Sequence, residues 1–188
     1  MYAVVTGGGT SGHVVPAMAI IEMLQDAGHP AEDIAYVGSR RGVESSVVPA
    51  LGVRCEFLPV SGLQRSLSLR SLVRNAALPA RLVRSTLRAR RLVAQWSPRV
   101  VVSVGGYASE PMARAAVAAG VPLVCVSYDR VPGLATRRQA RFATVSAVAF
   151  GDSSLPRAVV TGAPVRRAFR VLDIVAERTR VRASMGAG

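Results

Sequence analysis

The sequence predicts an α/β fold: a Rossmann-like, doubly wound parallel sheet with helices on both faces. Three observations predict it. Short apolar runs alternate with helix-period stretches along nearly the whole chain. Several of the runs are continuous and Val-rich, as strands covered on both faces are. Glycine turns follow two of them, after Thr6 and after Val104, and ligands of such sheets bind beyond the carboxyl ends of the strands.

The first strand is predicted over 2–6, Tyr2-Ala3-Val4-Val5-Thr6, and opens directly into Gly7-Gly8-Gly9-Thr10-Ser11-Gly12-His13. An apolar periodic helix follows over 14–27 and ends at Ala27-Gly28-His29-Pro30, where His29 reads as structural. Further strands are expected over 33–38, 54–58, 99–104, 123–127, 145–150 and 158–161. Helices are expected over 43–51, 67–96 with a break at Pro79, 110–119, 133–142 and 167–183. In the long one, Leu69, Leu72, Val73, Ala76, Ala80, Val83 and Leu87 are read as an apolar stripe packed on the sheet. Residues 1–165 form one domain in this reading, and 166–188 a connector or docking helix.

Half of the 188 residues are hydrophobic, enough for a sizeable core. Only 5% are aromatic, which argues against base-stacking surfaces and nucleic acid as a partner. The net charge is +13 without a single lysine, so all 24 basic residues are arginines, whose planar fork suits diphosphates. Cys55 and Cys125 sit in apolar runs and read as buried reduced thiols. No zinc spacing, no Asp-x-Asp and no apolar run of about 18 residues occurs, so neither metal, cofactor nor membrane span is expected. The chain enters its first strand at residue 2 and reads as cytoplasmic.

The first glycine loop sits between strand and helix, where backbone approaches an anion closely and a helix start aims N–H groups and partial positive charge at it. His13 puts a titratable imidazole at that mouth, as a candidate general base. Val104-Gly105-Gly106-Tyr107-Ala108-Ser109 repeats the arrangement, and two such turns at one sheet edge favour a diphosphate site. Gly7, Gly9 and Gly12 also fit G-x-G-x-x-G, and Arg40 and Arg41 after the second strand keep an NADP-binding oxidoreductase open. Asp129 orients a hydroxyl, assists His13 or caps the next helix. Arg166 reaches a diphosphate or stays exposed. No acidic residue occurs from Phe57 to Ser109, where Arg81, Arg84 and Arg88 share one helix face and suggest an anionic membrane surface.

Together these segments resemble the N-terminal half of the MurG family of peptidoglycan transferases, glycosyltransferase family 28. GGGTSGH is similar to the family's first loop. Val37-Gly38-Ser39-Arg40-Arg41-Gly42-Val43-Glu44 with Val48-Pro49, Val60-Ser61-Gly62-Leu63, Gly105-Gly106-Tyr107, Val131-Pro132-Gly133-Leu134, Ala140-Arg141-Phe142-Ala143 and Gly162-Ala163-Pro164-Val165-Arg166 continue the match in order. The resemblance implies a GT-B architecture: two Rossmann-like domains around a cleft, with UDP-GlcNAc as donor and the undecaprenyl-diphosphate-linked MurNAc-pentapeptide (lipid I) as acceptor. It implies Thr10, Ser11, Gly12, Asp129 and Arg166 as donor contacts and Gly8, Gly9, Gly105, Gly106 and Tyr107 around the acceptor diphosphate. His13 matches the family's base, which takes the proton of the MurNAc 4-hydroxyl during inverting transfer, on the cytoplasmic face of the membrane.

The chain departs from the family at Val126-Ser127-Tyr128-Asp129, where the family has His-Glu-Gln-Asn, and at Ser109-Glu110-Pro111, where it has Ser-Gly-Pro. The resemblance also implies that a C-terminal donor domain, or a partner subunit carrying it, lies outside this chain. A cut piece, a truncated gene and a split enzyme are the three explanations, and a noncatalytic binding subunit is the alternative function.

Overall fold

The computed structural model describes residues 1–40, 42–60 and 78–186. Among them, seven strands form one parallel sheet: β1 (Ala3–Thr6), β2 (Ile34–Ser39), β3 (Arg54–Leu58), β4 (Val100–Ser103), β5 (Leu123–Ser127), β6 (Val145–Val148) and β7 (Ala158–Val160). Their order is β3-β2-β1-β4-β5-β6-β7. The order reverses between β1 and β4, where Thr6 stands opposite Ser103. That is the switch point at which doubly wound sheets open a crevice. Both glycine turns leave the sheet there.

The helices are α1 (Ser11–Asp26), α2 (Glu44–Val47, continued by a 3-10 turn over Val48–Leu51), α3 (Leu78–Trp96), α4 (Glu110–Ala118), α5 (Leu134–Ala140), α6 (Arg167–Arg170) and α7 (Ile174–Ser184). Strand alternation divides the core between the two faces of the sheet. Val4, Ala35, Val37 and Val101 pack with α3 and α4 through Ala89, Leu92, Trp96, Met112 and Ala115. Val5, Ile34, Tyr36 and Val102 pack with Val14, Ala17 and Ile21 of α1. Cys125 is buried and Cys55 half-buried, both free; burial raises both thiols, Cys125 to about 12. His29 stacks on Tyr2 with ring centroids 3.5 Å apart. Among the described residues, no helix is long and apolar enough to cross a membrane.

Two helix expectations need correction. In α3 the buried residues are Ser85, Ala89, Leu92, Val93 and Trp96, whereas Val83 and Leu87 are 58% and 50% exposed and Ala80 is exposed too. Val83 lies about 200° round the helix from Ser85. Small residues decide this: Ala89 lies in one core cluster with Ala113 and Ala116 of α4, Ser85 is buried one turn before it, and small side chains let the two helices approach. Leu69, Leu72, Val73 and Ala76 lie outside the described residues. The helix expected over 167–183 is two helices, α6 and α7, because Asp173 caps the second: its Oδ1 accepts from the N–H groups of Val175 and Ala176, both at 3.0 Å.

Arginines hold the C-terminal segment to α1. Arg166 donates from Nε to Glu22 at 2.9 Å, and the Arg167 N–H donates to the same carboxylate at 2.6 Å. Arg167 and Arg170 both pair with Asp26 at 2.6 Å. Burial pushes the Glu22 carboxyl up, but the hydrogen bonds from Arg166 and Arg167 outweigh it and hold the group below its ordinary range. Hydrogen bonds from Arg167 and Arg170 do the same for Asp26.

Candidate active site

The site is built on the carboxyl ends of β1 and β4. From β1 the chain passes through Gly7–Gly9 into α1, whose first turn carries no acidic residue and whose capping position, Thr10, makes no side-chain cap bond. Ser11 and Gly12 are exposed and stand in the first turn of this 16-residue helix, at its positive end, where N–H groups have no partner within the helix. From β4 the chain passes through Gly105 and Gly106 into a 3-10 turn, Tyr107–Ser109, and then α4.

The two glycine turns touch. Gly106 has φ +78°, and a Cβ there would lie 2.6 Å from the Gly8 carbonyl oxygen and 2.7 Å from His13 Cδ2. Gly9, at φ +89°, leaves room for the Tyr107 ring, which a side chain at Gly9 would strike. Gly8, Gly9, Gly105, Gly106, Tyr107 and His13 are thus one cluster, with Thr10, Ser11 and Gly12 at its rim.

Each turn is tied from below by a buried polar side chain. Glu44, fully buried at the start of α2, accepts at Oε1 from the N–H groups of Gly9 and Ser39, each at 3.0 Å. Among the described residues, its Oε2 is buried without a hydrogen-bond partner. Tyr36 donates from its hydroxyl to the Gly7 carbonyl at 2.9 Å. Burial, then the charges of Glu44 and Cys55, raise the Tyr36 phenol. Under the second turn, Ser103 donates to Gln139 Oε1 at 2.6 Å, and Gln139 Nε2 donates to Ser109 and Glu110, each at 3.0 Å. Ser109 Oγ donates to the Gly106 carbonyl at 2.9 Å. The Ser109-Glu110 departure is thereby absorbed into an internal network. The Gly9 amide, read from sequence as an anion donor, is occupied by Glu44.

His13 is half-buried, and its Nδ1 lies 3.0 Å from the Tyr128 hydroxyl. Tyr128 follows β5 directly and donates to the Gly12 carbonyl at 2.6 Å. That carbonyl lacks its normal helical donor because position 16 is Pro16, inside α1 and without an N–H. Burial, with the charge of Asp129 second, pushes the Tyr128 phenol up to about 12, so it stays a donor.

Two predicted residues do not join the cluster. Arg166 is bound to Glu22, which lies about 14 Å along α1 from His13. Asp129 is exposed, and Gly133 instead of Asp129 holds the capping position of α5. For the oxidoreductase alternative, Arg40 donates to the Phe57 carbonyl at 3.1 Å, and Arg41 lies outside the described residues. Of the arginines read as membrane contacts, Arg84 and Arg88 are exposed and Arg81 half-buried, and Arg88 pairs with Glu56 at 2.7 Å. Sequence reasoning missed Tyr128, Glu44 and Gln139 as site residues. Pro16 was the readable signal for Tyr128, since it leaves a carbonyl one turn earlier in need of a donor.

The family model described as the glycosyltransferase family 28 N-terminal domain matches residues 3–148. A UDP-N-acetylglucosamine--N-acetylmuramyl-(pentapeptide) pyrophosphoryl-undecaprenol N-acetylglucosamine transferase of Acidothermus cellulolyticus is 38% identical over 188 residues, 99% of this chain and 49% of that protein. The transferase of the same name from Carboxydothermus hydrogenoformans is 34% identical over 192 residues, 100% of this chain and 50% of its own. The chain thus spans about half the length of the curated relatives it matches. Among solved structures, Acinetobacter baumannii MurG superposes with a TM-score of 0.70 at 23% identity, over 90% of this chain and 48% of that one. A UDP-GlcNAc 2-epimerase from Neisseria meningitidis, bound to UDP-GlcNAc, superposes at 0.60 with 16% identity, over 98% of this chain and 54% of that one. The two structures speak for the fold and the sequence matches for descent: this chain belongs to glycosyltransferase family 28, through the N-terminal domain of that family.

Proposed function

We propose that this chain is the acceptor-binding domain of an inverting transferase. The enzyme moves N-acetylglucosamine from UDP-N-acetylglucosamine to undecaprenyl-diphosphate-linked MurNAc-pentapeptide at the cytoplasmic membrane surface, making lipid II for peptidoglycan. The observation that carries this is His13, set against Gly106 where two glycine turns meet beyond β1 and β4. The MurNAc 4-hydroxyl attacks the anomeric carbon of the donor, its proton passes to His13, and the bond to UDP breaks with the electron pair leaving on the diphosphate. The N–H groups of Ser11 and Gly12, at the positive end of α1, face the charge that develops there. Thr10 stands beside them, and Gly8, Gly105, Gly106 and Tyr107 line the acceptor side. Most donor contacts belong to the half of the relatives that this chain does not span.

The test is binding of a soluble short-chain lipid I analogue to this chain, with NADPH as the control ligand. Saturable binding of the analogue is expected. In Gly106→Val it falls at least tenfold with circular dichroism unchanged, since the new side chain meets Gly8 and His13 and a backbone at φ +78°, ψ 162°, a region essentially confined to glycine, costs about 1–3 kcal/mol. Binding of NADPH instead of the analogue overturns the reading.

The membrane surface we place on the α3–α4–α5 layer. A groove of about 440 Å³ between α4 and α5 is lined by Val117, Leu123 and Phe142 together with Arg114, Arg138 and Arg141. Phe142 is 69% exposed, and Val83 and Leu87 lie exposed on neighbouring α3 beside Arg84. Apolar side chains among arginines suit an anionic lipid interface, where each basic residue contributes about 1 kcal/mol. Neutralising Arg84, Arg138 and Arg141 to Gln is expected to weaken cosedimentation with anionic vesicles about 100-fold. Unchanged cosedimentation removes this surface from the proposal.

A further inference from the structure

We propose that Tyr128 is a positioning residue: it holds the neutral His13 ring as the Nδ1–H tautomer, so that Nε2 carries the lone pair that accepts the substrate proton. The role of Nε2 rests on the reading above; the tautomer does not.

The inference follows from counting hydrogens. Pro16 has no N–H, so the Gly12 carbonyl has no donor from the next turn of α1. A carbonyl oxygen only accepts, so at 2.6 Å the single hydrogen of the Tyr128 hydroxyl points at Gly12. What remains on that oxygen is lone pairs. At 3.0 Å, His13 Nδ1 faces an acceptor and must present N–H to it. The opposite ring edge, Nε2 and Cδ2, lies against Gly106, on the side of the second glycine turn. In water a neutral histidine prefers the other tautomer, with the proton on Nε2 and no basic lone pair there. Tyr128 reverses that preference and fixes the ring plane. The chain of cause is Pro16, Gly12 carbonyl, Tyr128, His13, and it spans two elements far apart in sequence.

The chain contains two histidines, which makes the test direct. With imidazole nitrogens labelled, long-range proton–nitrogen correlation at a pH where His13 is neutral should show a protonated Nδ1 and an unprotonated Nε2 in the wild type. Tyr128→Phe should shift His13 to a mixture dominated by Nε2–H, with His29 unchanged as the folding control. A wild-type His13 protonated on Nε2 overturns the proposal. So does a folded Tyr128→Phe that keeps the Nδ1–H form. The wild-type spectrum decides by itself if the variant does not fold. In a full-length enzyme carrying this domain, Tyr128→Phe is expected to lower kcat about 10- to 100-fold with KM nearly unchanged. The switched tautomer with unchanged kcat overturns the positioning role and counts against His13 as base. An unswitched tautomer with activity lost in His13→Ala overturns the tautomer proposal alone.

Discussion

In a full-length transferase carrying this domain, His13→Ala should cut kcat by about 10²- to 10⁴-fold, the range general-base catalysis contributes. That corresponds to about 2.7–5.5 kcal/mol of lost transition-state stabilisation. KM for both substrates should move little, because proton transfer belongs to the transition state and not to ground-state binding. Stability should also change little. His13 is half-buried, and Tyr128 keeps its bond to the Gly12 carbonyl when the imidazole is gone. Steady-state kinetics and a melting curve on the same preparation decide the matter. Activity within tenfold of wild type with an unchanged melting curve would falsify the base assignment.

The largest stability effect is expected at Glu44. Replacement by Ala removes the acceptor for two backbone N–H groups, those of Gly9 and Ser39, in a fully buried position. An orphaned buried donor costs about 1–3 kcal/mol, and two of them with the small cavity left behind give about 3–5 kcal/mol. For a domain of this size the melting temperature should fall by about 10–15 °C. Glu44→Gln keeps a carbonyl oxygen for both donors and should lose less than half as much. Thermal unfolding of the two variants checks this. A fall under about 3 °C in Glu44→Ala means that the glycine loop stands without its tether.

The sheet was legible because its strands are short, Val-rich and punctuated by glycine, and those are local properties. All seven predicted strands are present, within two residues at each end. The meeting of the two glycine turns was legible too, since topology alone puts the ends of β1 and β4 side by side. Legibility failed where the decision was tertiary. The exposed pair Val83 and Leu87 has helical spacing and apolar character, yet Ser85 and Ala89 took the buried face because small residues pack helices closer. Tyr128 and Glu44 work through partners 115 and 35 residues away, and no periodicity announces such pairs. The pairing of Arg166 with Glu22, 144 residues away, is announced by nothing local to either residue.

The tethers beneath the first glycine turn have a consequence for the thermodynamics of ligand capture. Glu44 holds the Gly9 amide and Tyr36 the Gly7 carbonyl before any ligand arrives. Ordering a free loop would subtract about 1–2 kcal/mol per residue from the affinity of whatever docks there. Here that entropy is lost once, during folding, so contact free energy at the rim passes into affinity with little deduction, and association should not wait on loop closure.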